Sequence, residues 1–421
     1  MSRKYLTPWV YFSFTFLFLI ITGTILLYLQ SGLSFIDSLF TSTSAVCVTG
    51  LIVVDTAKLN TISQIIILIL IQLGGLGIMT LTSGITVLFR GALDLEKKVL
   101  LKKVTDYFSF YELEKILKIV LAYTFLCELI GAIILSISFK IQGYPLIKAI
   151  YYGIFHSISA FCNAGFSTFS NSLVGTNFLT KISISLLIIL GGIGFFVVYD
   201  IRYSKRKVLS IHSKIVILTT LLLIIVGTIL IYFFNFPNIS FLDSFFQAVT
   251  PRTAGFNTVN LNALSIDSLI IILMLMVIGA SPGSTGGGIK TTTFFIIFIS
   301  CFKVIKGEEN LVVFKRKISN FTILKSFSLF FIYITIILIS TFFLLNTNQH
   351  DFFKCLFETT SALGTVGLSL GITPTLTTFG KIIIIFCMFI GRIGPASFIM
   401  MLMLKEKKSV VDYPEEKIII G

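Results

Sequence analysis

Hydrophobic positions in this chain are gathered into eight long runs, at 9–29, 64–89, 116–139, 183–201, 214–236, 268–300, 322–345 and 380–404. Each is about 20 residues or longer, the length at which a helix crosses a hydrocarbon core of roughly 30 Å. The pattern predicts an all-α integral membrane protein of eight spans, with no room left for a soluble domain. The first run follows Met1-Ser-Arg-Lys4, a start that resembles a signal peptide. It is longer than a normal signal core and no small-residue cleavage site follows, so it reads as the first span.

Composition agrees with this pattern. Of 421 residues, 55% are hydrophobic and only 12% charged, and the mean hydropathy is +0.98. A soluble core of this size would need far more polar covering. The net charge of +14 invites a nucleic-acid reading, but its placement argues for topology. Of the 33 Lys and Arg, 24 lie at the N-terminus, in the linkers 90–118, 202–214 and 303–325, and in the tail. Six (Lys58, Lys140, Lys148, Lys181, Lys354, Lys381) fall in the alternate connections, and Arg252, Lys290 and Arg392 lie at membrane depth. The positive-inside rule puts both termini and the basic linkers in the cytoplasm, and nucleic acid is not needed as a partner. The six cysteines, Cys47, Cys127, Cys162, Cys301, Cys355 and Cys387, have neither metal-site spacing nor the look of a disulfide framework.

A fourfold repeat underlies the spans. Within each pair of runs lies an apolar helical stretch too short to span, followed by a small-residue turn centred on glycine. The four turns read Ser44-Ala-Val-Cys-Val-Thr-Gly50-Leu51, Ser159-Ala-Phe-Cys-Asn-Ala-Gly165-Phe166, Val249-Thr-Pro-Arg-Thr-Ala-Gly255-Phe256 and Ser361-Ala-Leu-Gly-Thr-Val-Gly367-Leu368. The lead-ins Phe35-Ile-Asp-Ser-Leu-Phe40, Phe241-Leu-Asp-Ser-Phe-Phe246 and Phe352-Phe-Lys-Cys-Leu-Phe357 also match. A second landmark follows 24 to 26 residues after each turn glycine, at Gly74, Gly191, Gly279 and Gly391. Two registers repeated four times define a unit of span, re-entrant loop and span. The units are expected over 1–90, 91–202, 203–305 and 306–421.

Non-helical backbone at membrane depth survives only where it is buried in protein or lines a water-filled cavity. Four such segments in register are best satisfied around one axis, where carbonyls can replace the hydration shell of a cation. Glycine admits backbone angles denied to other residues and brings the chain close to an ion. The negative ends of the short helix dipoles would favour a cation at the same place. A single glycine in a membrane helix would be read as close packing, but four in register point to a filter. Its candidate strands are Val48, Thr49 and Gly50; Asn163, Ala164 and Gly165; Thr253, Ala254 and Gly255; and Thr365, Val366 and Gly367. The residues alone imply a dehydrated monovalent cation.

On these motifs, from about residue 8 to 405, the chain resembles the Trk/Ktr/HKT superfamily of potassium transporters, in particular its KtrB-type membrane subunits. The extra N-terminal spans usual in Trk-type relatives are missing, which favours the Ktr branch. In that family glycine in all four loops goes with potassium selectivity, and serine in the first with sodium permeation. The resemblance therefore implies potassium at the filter carbonyls. It further implies a homodimer with one pore per subunit, in a bacterial cell membrane, on a cytosolic ring of KtrA-type regulators. Nucleotide is expected on those regulators only, and no cofactor on this chain.

The third post-filter run is interrupted by Ser281-Pro-Gly-Ser-Thr-Gly-Gly-Gly-Ile-Lys290-Thr-Thr-Thr293. Proline removes a helix donor and glycine disfavours helix, so a loop inside the bilayer is expected over 281–293, with a simple kink as the plainer alternative. A phosphate loop is nearly spelled, but Ile289 separates Gly288 from Lys290 and no strand precedes it. Arg392 should lie at a similar depth. A mid-span charge normally faces a cavity or a partner, and a cation there opposes the permeant ion. The resemblance implies a gate of this loop (Ser281, Gly283, Gly286, Gly287, Gly288, Lys290) together with Arg392.

Other polar residues carry quieter expectations. Arg252 should turn away from the pathway, toward backbone or an acid such as Glu358. His156 reads as a packed or capped histidine, and Glu128 as paired within the bundle. The tail from Tyr413 ends in three isoleucines and is expected to pack on a second protomer. Covalent chemistry is not expected, since no nucleophile sits with a base. An alternating-access carrier is the main rival; such folds interrupt helices in corresponding halves, whereas here only the third repeat reads as broken. An enzyme or receptor merely anchored in the membrane is disfavoured by the lack of a sizeable extramembrane domain.

Overall fold

The computed structural model describes residues 8–77, 110–203, 209–308, 310–347 and 350–394. Four long helices open the four repeats: α1 (Pro8–Ser31), α4 (Phe110–Ile141), α8 (Ile211–Asn235) and α12 (Asn320–Thr347). Each contains an apolar stretch long enough to cross a membrane. Short helices dip back after them: α2 (Phe35–Val46), α5 (Leu146–Phe161), α9 (Phe241–Val249) and α13 (Phe352–Gly364). At 9 to 16 residues they are too short to span, as the sequence implied.

The second helix of each repeat follows the glycine turn: α3 (Thr61–Leu76), α6 (Phe178–Gly192) with α7 (Phe195–Tyr203), α10 (Ile266–Val277) with α11 (Thr291–Ile305), and α14 (Thr378–Ile393). Their starts are set by polar N-caps. Asn60, Asn177, Ser265 and Thr377 accept bonds from the amides of Ser63, Thr180, Ser268 and Gly380, satisfying donors the helix cannot. A two-residue hairpin, β1 (Val312–Val313) with β2 (Arg316–Lys317), links α11 to α12.

One expectation is corrected here. The interruption is not confined to the third repeat. The span expected at 183–201 bends by 83° between α6 and α7, at Gly194, whose φ is +93°. α3 and α14 end at the matching glycines Gly77 and Gly394, with φ of +73° and +92°. A left-handed glycine cannot continue a right-handed helix, so the helix stops at the matching glycine in each case. The break in the third repeat, from Ile278 to Lys290, is longer than that in the second, and α11 already begins at Thr291. The linker 90–118 lies largely, and 204–208, the end of the last span beyond 394 and the tail wholly, outside the described residues.

Burial is inverted relative to a soluble protein. Leu29, Phe233 and Phe331 stand exposed on the long helices, while the serines and threonines at the ends of the short helices are buried. Lipid is the apolar solvent, so polar side chains gather where backbone leaves helical geometry. Side chains also tie one repeat to the next. Lys381 of α14 pairs with Asp37 of α2 at 2.6 Å, and Lys181 of α6 with Asp243 of α9 at 2.5 Å. The Tyr151 hydroxyl of α5 donates to Gln64 of α3 at 2.7 Å.

Candidate functional site

The four turn glycines form a closed ring. A methyl group built on Gly50 would fall on the carbonyl oxygen of Ala164, one on Gly165 on that of Ala254, one on Gly255 on that of Val366, and one on Gly367 on that of Thr49. Each would also lie 3.0–3.1 Å from the Cα of the next glycine, so the order of repeats runs one, two, three, four and back to one. All four glycines have positive φ, between +70° and +93°.

The residue two places before each glycine also lies at positive φ: Val48 (+56°), Asn163 (+58°), Thr253 (+82°) and Thr365 (+51°). Three of these are β-branched, for which this region is strained. The strain recurs in register four times, so the ring geometry imposes it. Between the two left-handed residues stand Thr49, Ala164, Ala254 and Val366, the four whose carbonyls abut the neighbouring glycine. Every strand residue expected from the sequence is thus brought into one ring.

Hydroxyls at the short-helix ends hold these strands. Ser44 and Ser361 accept from the amides of Gly50 and Gly367 at 3.1 and 3.0 Å. Ser159 and Thr250 donate to the carbonyls of Phe166 and Phe256 at 2.8 and 2.7 Å. Sequence reasoning gave these four no role, though serine six residues before the glycine in three repeats was a visible signal. The second-landmark glycines serve the same structure. A Cβ on Gly74, Gly191 or Gly391 would strike the carbonyl of Val46, Phe161 or Leu363, four residues before the turn glycine of the same repeat. In the third repeat Gly279 instead meets Gly287 and Gly288 of the interrupting loop.

That loop lies directly against the ring. The Gly287 amide donates to the Thr365 hydroxyl at 3.1 Å, and a Cβ on Gly286 would collide with the Thr253 hydroxyl. The break in the second repeat supplies further bonds. The Ser281 amide donates to Gly192 at 3.1 Å, and the Phe195 amide to Gly283 at 2.8 Å. The Ser281 hydroxyl accepts from Thr291, and Gly288, at φ +68°, crosses Gly279. Lys290 turns its Nζ back onto the carbonyls of Gly286 (2.8 Å) and Gly287 (3.3 Å).

Arg392 completes the arrangement. Its guanidinium donates to the carbonyl of Thr285 in the loop, and to those of Gly74 and Gly75 (3.0 Å for the latter) at the end of α3. The expected meeting of loop and arginine is therefore realised, through a carbonyl of a residue, Thr285, that sequence reasoning had not singled out. The Thr285 hydroxyl is 3.2 Å from both Phe161 O and Gly191 O.

The remaining polar residues fall out as follows. Glu128 accepts from Gln72 at 3.0 Å, as expected of an acid paired within the bundle. His156 is packed, its ring stacked on Phe169 with centroids 4.9 Å apart. The suggested pairing of Arg252 with Glu358 does not form. Arg252 reaches the Thr220 hydroxyl at 3.4 Å, while Glu358 accepts from the hydroxyls of Ser369 and Thr373. Two nearby hydroxyls already satisfy that carboxylate. Among the described residues, no cluster of three or more His, Cys, Asp or Glu could hold a metal ion.

A fourfold ring of re-entrant strands under long membrane helices is the architecture of a cation transport protein, and comparison places the chain within that class. It matches the TrkH family, described as cation transport protein, over residues 7–413. It is 37% identical to the Ktr system potassium uptake protein B of Bacillus subtilis (strain 168), covering 99% of this chain and 97% of the relative. It is 36% identical to the potassium/sodium uptake protein NtpJ of Enterococcus hirae, covering 100% and 98%. The fold resembles the crystal structure of the potassium transporter TrkH from Vibrio parahaemolyticus, with a TM-score of 0.74 over 96% of this chain and 86% of that one, at 18% identity. The chain belongs to the TrkH family of cation transport proteins, on its KtrB-type branch.

Proposed function

We propose that this protein takes up potassium across a bacterial cell membrane through one pore formed by its four repeats. The observation that carries this reading is the closed glycine ring, with the carbonyls of Thr49, Ala164, Ala254 and Val366 set between left-handed residues. Such carbonyls replace water around a cation at little reorganisation cost. The C-terminal ends of α2, α5, α9 and α13 point their partial negative charge at the same place. The relatives are named as uptake and cation transport proteins, which supports a transport role without catalysis. The names of the relatives support potassium, and that of the Enterococcus hirae protein supports an influence of sodium.

The loop from Ser281 to Lys290 is the gate in this reading. It lies against Thr253 and Thr365 of the ring, where an ion leaving the filter must pass, and the positive charges of Arg392 and Lys290 oppose that passage. Opening requires the loop to release its bonds to the second-repeat break and to Arg392. The basic linkers and both termini face the cytoplasm, where two copies of the chain sit on a nucleotide-binding regulatory ring of the KtrA type. The interruptions of the second helices in repeats two and three are a feature shared with alternating-access carriers, but a closed ring of strands favours a pore.

Purified protein in liposomes tests the reading. Potassium flux down its gradient should clearly exceed sodium flux under the same gradient. Equal fluxes, or none with or without a regulatory partner, would overturn it.

A further inference from the structure

The filter is not braced identically in its four repeats. Nine residues before the ring glycine of repeats two and four stand His156 and Glu358, both fully buried. Two residues after those glycines stand Ser167 and Ser369. In each repeat the two are joined: His156 Nε2 lies 3.0 Å from the Ser167 hydroxyl, and Ser369 donates to Glu358 at 2.8 Å. His156 Nδ1 lies 2.8 Å from the Tyr152 carbonyl. A carbonyl can only accept, so Nδ1 carries the proton and, in the neutral ring, Nε2 accepts from Ser167 as the Glu358 carboxylate does from Ser369. Each serine oxygen then takes a backbone amide two residues on, Phe169 or Gly371, at 3.0 Å.

Repeats one and three cannot build this device. The corresponding pairs are Thr41 with Ile52 and Phe246 with Asn257, and each contains one side chain without a polar group. Their short helices carry instead Asp37 and Asp243, paired with the lysines of the preceding repeats. Fourfold backbone symmetry is therefore supported by twofold side-chain chemistry.

We infer that His156 and Glu358 are positioning residues for the filter, acting through Ser167 and Ser369 to fix the limb of the strand beyond the glycine and so to set the preference among cations. This rests on the filter reading above. The near limb is already held by the backbone carbonyls of Ser159 and Ser361, which accept from the amides of Ala164 at 2.7 Å and Val366 at 2.8 Å. With the far limb held as well, the peptides flanking Gly165 and Gly367 are clamped on both sides. Such a ring cannot draw in around a smaller ion, whereas a strand loosened on one side can, and sodium would gain most. The buried acid and imidazole need hydrogen bonds whatever their role, so the test must separate selectivity from folding.

Ser167→Ala and Ser369→Ala remove the link and keep His156 and Glu358 in place. Each is expected to lower the potassium-over-sodium flux ratio in liposomes about fivefold at unchanged protein yield, with Ser→Thr at the same position restoring it. The double variant Glu358→Met/Ser369→Ala should be no worse than Glu358→Met alone, because Met has no oxygen to accept from Ser369 and both changes break one link. Should an alanine variant fail to accumulate, Ser→Cys, a weak donor of similar size, reads the same ratio. Gly50→Ser, run in parallel, separates the two levels of the argument. If it shifts the ratio while both alanine variants keep the wild-type value, or if the double variant is additive, the bracing role is rejected. If Gly50→Ser also leaves the ratio unchanged, the filter reading itself falls, and this inference with it.

Discussion

Replacing Arg392 by Ala tests the gate most directly. The guanidinium donates to Thr285 O in the loop and to Gly74 and Gly75 O at the end of α3. Only the first of these bonds reaches the loop. A hydrogen bond involving a charged group contributes about 1.5–3 kcal/mol net, and about 1.4 kcal/mol is a factor of ten in an equilibrium. Losing the Thr285 bond should therefore raise the ratio of open to closed loop by roughly 10- to 100-fold. Removing the charge lowers the barrier to a cation further in the same direction. The measurement is potassium flux into liposomes without any regulatory partner, with thermal melting to show that α3 and α14 remain packed. The potassium-over-sodium ratio should stay at the wild-type value, because Arg392 touches the loop and not the ring. Arg392→Lys, which keeps the charge but loses the forked donors, should lie between. Shortening the loop between Gly283 and Gly288 should act like Arg392→Ala. Wild-type flux in both the Ala variant and the shortened loop would refute the reasoning and leave the loop as packing.

Two further outcomes follow from the same geometry. Gly50→Ser places a Cβ on the Ala164 carbonyl at a φ of +90°. A strain of about 1–3 kcal/mol at such a position should cost roughly tenfold in potassium-over-sodium preference, read from reversal potentials, and Gly165, Gly255 and Gly367 should behave alike. Lys381→Met leaves Asp37 without its partner at the seam between repeats four and one. It should cost about 1–2 kcal/mol, seen as a lower melting temperature in detergent, and Lys181→Met should do the same at the opposite seam.

Much of this protein could be read before any coordinates. Lipid demands long apolar runs, so the four long helices that open the repeats were written in hydropathy alone. The four turn glycines were legible because a left-handed backbone position at close quarters has almost no other solution, and this constraint leaves the same letter four times. The bend at Gly194 and the helix ends at Gly77 and Gly394 were missed for the converse reason. Glycine among apolar residues is equally a packing residue, and hydropathy does not fall where the helix stops. The third repeat marked its break at length, with a run of Pro, Gly, Ser and Thr, and in the fourth Pro395 beside Gly394 was a shorter signal.

Tertiary structure alone decided who meets whom. That Arg392 bonds to Thr285 and to the end of α3 depends on the order of repeats around the ring, which is a property of closure and not of any one segment. The same closure chose Thr220 as the neighbour of Arg252 and left Glu358 to Ser369 and Thr373, although charge alone favoured pairing the two. The alternation of braces, His156 and Glu358 in one pair of repeats and Asp37 and Asp243 in the other, lies in the sequence as scattered polar residues. Residues nine before and two after a glycine become partners only once the turn folds the strand back along its helix. Local chemistry determined where the chain could bend and what lipid would accept, and packing around a common axis determined which polar groups each bend must satisfy.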